Sequence, residues 1–78
     1  MYYFINNNIR VRICESKTFF VNIKNNVIYN INTDAYLYLK KKLDENLTVE
    51  ELSNCKTEFR NFIENLIEVG VIEKNYED

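Results

Sequence analysis

The sequence predicts an α+β domain shaped like a winged helix-turn-helix, in which a three-stranded antiparallel meander is followed by three helices. Three short stretches before residue 32 carry the apolar alternation or the flanking turn residues typical of strands. Three later stretches carry apolar residues at helical spacing, together with capping residues or a terminating glycine. The 78 residues allow a single domain over 1–78, with a core at about 9–73 and a frayed acidic tail at 74–78.

The predicted strands are residues 9–15, 19–23 and 27–31. In the first strand, the apolar side chains at every second position from Ile9 to Ile13 are expected to face inward, and the two intervening arginines to face solvent. In the second strand, the same alternation predicts that Phe19, Val21 and Ile23 face inward.

The turn between the second and third strands fixes which residues pair. A two-residue loop would place apolar residues opposite polar ones on both faces of the hairpin. A three-residue loop at residues 24–26 instead gives one wholly apolar face, with the pairs Ile23–Val27, Val21–Tyr29 and Phe19–Ile31. Burial therefore predicts the three-residue loop, with Asn26 left-handed because asparagine tolerates that conformation. The third strand then lies at the edge of the sheet.

The first helix is predicted at residues 33–44, capped by Asn32 or Thr33 and with Asp34 in its first turn. Its inward stripe is expected to contain Ala35, Tyr38, Leu39 and Leu43. Three consecutive lysines at residues 40–42 have two interpretations. They form a solvated face that complements the helix dipole, or they contact an acidic partner electrostatically.

Two further helices follow. Thr48 and Glu51 form a capping box that predicts a short helix through about residue 54. The last helix is predicted from about residue 57 to 69, ended by a left-handed Gly70. Its core stripe is expected to contain Phe59, Phe62, Ile63, Leu66 and Val69. Residues 71–72 are then expected to return to the core or to add a short strand.

Composition argues against an enzyme. The chain has no histidine, so the commonest general base and every histidine-activated nucleophile are missing, and its single glycine allows no phosphate-binding loop. No catalytic residue, cofactor or metal site is predicted. Cys14 and Cys55 are far apart in sequence and are expected to be free thiols, near a strand end and at the close of the short helix.

Nucleic acid and membrane are also unfavoured partners. The net charge is −2, and the last helix carries Glu58, Glu64 and Glu68 against a single Arg60, so that surface would repel phosphates. No apolar run approaches the roughly 20 residues of a membrane span, and the N-terminal residues lack the pattern of a signal peptide. The protein is expected to be cytoplasmic.

The third strand and the last helix together suggest a binding groove. Ile28 points away from the apolar face, and Ile67 lies at the margin of the core stripe, flanked by Arg60 and Glu64. An open strand edge beside such a helix can capture an extended peptide by strand addition. The alternative is that Ile67 closes the core and that Ile28 meets a loop or residues 2–4.

The order and spacing of these motifs resemble a known family. The matching stretches are Tyr-Asn-Ile-Asn at 29–32 with Ala35 and Leu39 behind it, Leu-Thr-Val-Glu-Glu-Leu at 47–52, Phe-Ile-Glu-Asn-Leu at 62–66 and Gly-Val-Ile at 70–72. Over about residues 9–73 the chain is similar to the PqqD-like precursor recognition elements of pathways that make ribosomally synthesised, post-translationally modified peptides (RiPPs). It departs from them at residues 44–46, where Asp-Glu-Asn replaces the common Asp-Gly.

The resemblance implies a non-catalytic chaperone that binds the leader of a precursor peptide. The leader would lie antiparallel along Val27, Ile28, Tyr29, Asn30 and Ile31, and would contact Arg60, Ile63, Glu64 and Ile67 on the last helix. As a stand-alone element, it would deliver the precursor to a separate modifying enzyme. A radical S-adenosylmethionine maturase is the first expectation for this enzyme, and a lasso-peptide leader peptidase is the second.

A different class of function remains open. The same open edge could pair with that of a second copy, giving a small homodimeric structural or regulatory winged-helix module. Such a dimer would depend on concentration, and a leader peptide would either compete it apart or leave it unchanged.

Overall fold

A computed structural model describes residues 1–76 as an α+β domain with a three-stranded antiparallel sheet, a two-stranded ladder and three helices. The elements in chain order are β1 (Tyr2–Ile5), β2 (Ile9–Cys14), β3 (Lys17–Asn22), β4 (Ile28–Asn32), α1 (Thr33–Asp44), α2 (Val49–Ser53), α3 (Thr57–Glu68) and β5 (Ile72–Asn75). The sheet has the order β2-β3-β4, and β1 pairs with β5.

The helix starts follow the predicted capping residues. The Asn32 side chain accepts a hydrogen bond of 2.8 Å from the backbone N–H of Asp34 and begins α1. The Thr48 hydroxyl accepts one of 3.0 Å from the N–H of Glu51 and begins α2. Both caps satisfy N–H groups that the helix itself leaves without a partner, so the predicted caps are confirmed.

The inward stripe of α1 differs from the prediction at one aromatic position. Tyr36 is buried, and its ring packs edge-on against Phe20 of β3 at a centroid distance of 5.8 Å. Tyr38, predicted to face inward, is 51% exposed and contacts Phe59 of α3 from the side. Tyr36 and Tyr38 both flank the apolar face of α1 that contains Leu39. The ring of Phe20 on the sheet determines that Tyr36 is the one that is covered.

The predicted pairing of β3 with β4 is wrong by one residue. The structure pairs Val21 with Ile28 and Phe20 with Tyr29, across a four-residue loop at residues 23–26. The inward side chains of β3 are therefore Thr18 and Phe20, which are 0% and 1% exposed. The prediction assumed that the most regular apolar alternation marks the buried face. The actual face is instead selected by the aromatic contact to α1 and by a 2.9 Å bond between the Thr18 and Thr33 hydroxyls.

The loop nevertheless contains the predicted left-handed asparagine. Asn26 has a φ of 63°. The Asn22 side-chain oxygen accepts a 2.9 Å hydrogen bond from the N–H of Lys24, and that of Asn25 accepts a 3.0 Å bond from the N–H of Val27. Asparagine side chains therefore define the turn that leads into β4.

The strand β2 is buried only at its start. Ile9 is 7% exposed, but Val11 and Ile13, predicted to face the core, are 37% and 54% exposed. Their side chains share a face with Ile9, and no described helix covers that end of the edge strand. All three side chains therefore lie on the predicted face of the strand, but only Ile9 is buried there.

The ladder of β1 and β5 closes the core and was only partly expected. Val71 and Ile72 are buried in the core, as predicted, and Ile72 begins β5. The strand β1 was not predicted. Tyr3 is 4% exposed, and its N–H donates a 3.0 Å hydrogen bond to the carbonyl of Leu47. The tail expected to fray from residue 74 is paired as far as Asn75; its last two residues, 77–78, lie outside the described part of the chain.

The hydrophobic core contains residues from the three-stranded sheet, the β1–β5 ladder and all three helices. Its buried apolar residues are Tyr3, Ile9, Phe20, Ile31, Tyr36, Leu39, Leu47, Leu52, Ile63, Leu66, Val71 and Ile72. Phe59 and Phe62 of the predicted α3 stripe are half-buried against this cluster, and Val69 is 38% exposed because it is the C-cap, beyond the last turn. Both cysteines are free, as expected. None of the described helices is long and apolar enough to cross a membrane.

Gly70 ends α3 in the predicted left-handed conformation, with a φ of 83°. No atom lies within 4 Å of the position that a Cβ would occupy. Gly70→Ala should therefore lower the free energy of unfolding by about 1 kcal/mol through backbone strain alone. Urea denaturation measures the effect, with Gly70→Asn as the matched control, which should cost less because asparagine tolerates this conformation. An alanine variant as stable as the wild type would contradict the assigned conformation.

Candidate functional site

The candidate site is the outer edge of β4. This strand pairs with β3 on one side, and none of the described strands pairs with its other side. Its sequence from Ile28 to Asn32 contains no charged residue. Natural edge strands are commonly protected by charges, proline or covering elements, so an uncharged open edge favours pairing with another chain.

Two flanking hydrogen bonds show which backbone groups of β4 are free. Asn22 donates its N–H to the carbonyl of Val27 at 2.9 Å, and Thr33 donates to Ser16 at 2.8 Å. Hydrogen-bonded and non-bonded positions alternate along an antiparallel pair, so Tyr29 and Ile31 between these anchors also bond to β3. Ile28 and Asn30 consequently direct their N–H and C=O groups away from the sheet, with no partner among the described residues.

The side chains of β4 divide between its two faces. Ile31 is buried and Tyr29 is half-buried against the core, whereas Ile28 is 60% exposed and Asn30 is also exposed. The predicted orientation of Ile28 is confirmed. Val27, just before the strand, is 51% exposed. An incoming strand would therefore meet free backbone at Ile28 and Asn30 and accessible side chains at the same two residues.

The predicted helix residues lie in different environments. Ile63 is fully buried in the core, so its side chain offers no surface to a ligand, and Ile67 is half-buried against the same cluster. Arg60 and Glu64 line a cavity of about 290 Å³ together with residues of β1, α2 and β5, and no residue of β4 lines that cavity. The structure thus brings Arg60 and Glu64 together at one place and the predicted residues 27–31, four of them in β4, together at another.

Local contacts hold Arg60 in place. Its guanidinium donates a 3.1 Å hydrogen bond to the hydroxyl of Thr57 and a 3.5 Å bond to the carbonyl of Ser53, at the end of α2. Arg60 therefore joins the start of α3 to the end of α2. No ion pair forms between Arg60 and Glu64 within the described residues, although they are one helical turn apart.

A second cavity of about 330 Å³ lies between β1 and α1, beside the ion pair of Lys40 and Asp44 at 3.0 Å. The hydrogen bond to Asp44 and the charge of Asp44 raise the pKa of Lys40 above its usual 10.5. Among residues 1–76, no group of three or more His, Cys, Asp or Glu side chains is placed to hold a metal ion.

The features missed by the sequence prediction are the outward backbone groups of Ile28 and Asn30. Their identity depends on pairing parity, and the predicted register differs from the observed one by a single residue. The three asparagines at positions 22, 25 and 26 were the available signal, because Asn side chains that accept loop N–H groups lengthen the turn.

Comparison with protein-family models, with curated proteins and with solved structures gives no significant match to this chain.

Proposed function

We propose that this chain is a winged-helix-like, PqqD-like recognition domain that captures an extended leader peptide by strand addition to β4 and presents the precursor to a modifying enzyme. The observation that supports this most is the free backbone of Ile28 and Asn30 on an uncharged edge strand. In this mode of recognition, backbone hydrogen bonds provide the affinity and side-chain contacts provide the specificity. The enzyme that fits the resemblance first is a radical S-adenosylmethionine maturase, and a lasso-peptide leader peptidase second.

The other edge of the sheet is a poorer acceptor. In β2 the outward backbone groups belong to Ile9, Val11 and Ile13, because Ile23 donates to the carbonyl of Asn8 and sets the alternation. The N–H of Ile9 is already bonded to the carbonyl of Asn6. Two arginines, Arg10 and Arg12, also alternate along β2 and protect it as charged edge residues do. The proposal therefore assigns the leader to β4.

An amide NMR titration tests the proposal. The probe is a synthetic peptide covering the leader half of a short precursor encoded near this chain, and the control is the same peptide with N-methyl groups on alternate residues. We expect shifts concentrated at residues 28–32, with the N–H groups of Ile28 and Asn30 becoming protected from exchange while those of Tyr29 and Ile31 stay protected throughout. The peptide should not bind when the methylated residues are those whose N–H groups face β4, because it cannot complete the ladder, and it should still bind when the other alternate residues are methylated.

Two outcomes would overturn the proposal. Shifts confined to the cavity of Arg60 and Glu64 would place peptide binding on the helical side instead. A lack of shifts with leader peptides from every precursor encoded nearby would remove the leader-binding function.

A homodimer through the same edge is the second candidate function. An antiparallel pairing centred on Tyr29 would place Ile28 of each copy opposite Asn30 of the other, and it brings no like charges together. Sedimentation over a dilution series separates the two functions. A concentration-dependent dimer that leader peptide leaves intact would favour the structural module, whereas a monomer that binds leader would favour the chaperone.

A further inference from the structure

The outer face of the three-stranded sheet, which points away from α1, combines apolar and basic side chains. Residues directly opposite each other in an antiparallel sheet share a face. Val21 lies opposite Arg10 on one side and Ile28 on the other, and Phe19 lies opposite Arg12. Phe20 and Thr18 are buried on the inner face, so these residues belong to the outer one.

Three of these residues form an apolar strip across the middle of the face. Phe19 and Val21 are half-buried and Ile28 is 60% exposed. Val21 and Ile28 occupy a non-hydrogen-bonded pair, in which side chains approach most closely. The helix α1 covers the inner side of the sheet, through Tyr36 on Phe20.

Basic residues border the strip, and no acidic residue occupies an outward position of the strands β2, β3 and β4; the exposed Glu15 lies in the turn between β2 and β3. Arg10, Arg12 and Lys17 are exposed, and the remaining outward positions of the three strands are neutral. None of the three cations has a carboxylate partner among residues 1–76, where the ion pair joins Lys40 and Asp44. Arg10 donates hydrogen bonds only to backbone carbonyls, of Asn7 at 2.9 Å and of Ile9 at 3.3 Å.

Positive charge is concentrated in the part of the chain that forms the sheet, and negative charge in the part that follows it. Residues 9–32 hold four of its ten Lys and Arg but one of its twelve Asp and Glu, a net +3, whereas residues 33–78 have a net −5. A positive, partly apolar face on an otherwise acidic chain selects for a compact partner that carries negative charge beside an apolar surface.

We propose that this outer face docks an acidic amphipathic helix of a partner protein. Antiparallel sheets commonly pack one face on the core and leave the other open; here α1 covers the inner face, so the outer face is accessible to a partner whose charge and apolar stripe complement it. A helix whose apolar stripe lies on Phe19, Val21 and Ile28 would place flanking carboxylates near Arg10, Arg12 and Lys17. The helix would contact side chains on the outer face, whereas the leader would bond to the backbone at the edge of β4, so the two proposed sites have only the side chain of Ile28 in common.

A second copy of the chain is a poor occupant. Its helix α3, which has three glutamates, directs Ile63 and Leu66 into its own core at 0% exposure, so its apolar stripe is already covered. A membrane or a nucleic acid would bring an extended array of phosphates towards a chain with a net charge of −2. The phosphates of a nucleic acid would also leave the apolar strip without an apolar partner.

The test uses a synthetic helical peptide of about 18 residues, long enough to hold a helix, built from Leu, Ala and Glu. The control peptide has Lys in place of every Glu. We expect the Glu peptide to shift the NMR signals of the Val21 methyl groups and the Arg12 Nε–H, and to bind less well as salt is raised. Arg12→Glu should weaken binding about fivefold or more, because it replaces an attraction with a repulsion.

Matched variants distinguish docking on the outer face from a non-specific attraction between the peptide and the charge of the whole chain. Lys56→Glu makes the same charge change at the start of α3 and should leave affinity for the Glu peptide within about twofold, since it lies off the face. Val21→Thr keeps strand propensity, removes part of the apolar strip and should weaken binding severalfold. Circular dichroism confirms that each variant is folded.

The opposing results are equally distinct. Equal binding of the Lys peptide, or insensitivity to Arg12→Glu, would overturn the proposal. Tighter binding of phosphatidylglycerol vesicles or of a single-stranded DNA oligonucleotide would assign the face to a polyanion instead. Shifts at residues 28–32 with leader peptide but none on the face with the Glu peptide would remove this proposal and leave the proposed function standing.

Discussion

Phe20→Ala is expected to lower the free energy of unfolding by about 3–5 kcal/mol, whereas Phe19→Ala should cost about 1 kcal/mol. The two residues are adjacent and chemically identical, yet Phe20 is 1% exposed and packs on Tyr36, while Phe19 is half-buried on the opposite face. Urea denaturation followed by circular dichroism measures both losses. The pair isolates burial, because the substitution is the same at neighbouring positions of one strand.

This comparison also tests which side chains of β3 face the core. Domains of this size are stable by only about 5–15 kcal/mol, so Phe20→Ala could leave little folded protein, and Phe20→Leu then provides a milder loss. A larger loss for Phe19 than for Phe20 would restore the register that the apolar alternation predicts and would reverse both faces of the sheet.

Asn30→Pro is expected to weaken leader binding about tenfold or more while changing thermal stability little. The N–H of Asn30 points away from β3, so proline removes no hydrogen bond of the sheet, and an edge strand tolerates it at such a position. An added strand would lose one backbone bond and would meet the proline ring. Asn30→Thr is the matched control, since it changes the side chain but keeps the N–H.

Calorimetric titration with the leader peptide gives the affinity, and thermal melting gives the stability. Equal loss of affinity in Asn30→Pro and Asn30→Thr would mean that the side chain, and not the backbone, is recognised. Unchanged affinity in both variants would place the leader elsewhere on the domain. A strongly destabilised proline variant would show that this N–H belongs to the fold.

Locally encoded features could be predicted from the sequence. The caps at Asn32 and Thr48 and the left-handed Asn26 and Gly70 depend on residues within a few positions of each other. The bounds of α1 were predicted to the residue for the same reason.

Features that depend on distant contacts could not be predicted. Phe19 and Phe20 are indistinguishable in sequence, and Tyr36 on the facing helix determines which is buried. Ile63 was assigned to the groove because of the resemblance, but its side chain is completely buried in the hydrophobic core. The free backbone of β4 depends on pairing parity, which a one-residue difference in loop length reverses.

The ladder between β1 and β5 has a consequence for how the chain folds. The Tyr2 hydroxyl accepts a 2.6 Å hydrogen bond from the side chain of Asn75, a residue 73 positions away. Contacts at such separation must overcome loop-closure entropy before they contribute stability, and they slow folding. The hairpins of the sheet and the three helices can form from neighbouring residues, but Tyr3, Val71 and Ile72 become buried only when the two ends of the ladder meet. Pairing of the two ends of the chain therefore completes the hydrophobic core that supports the sheet carrying the candidate site.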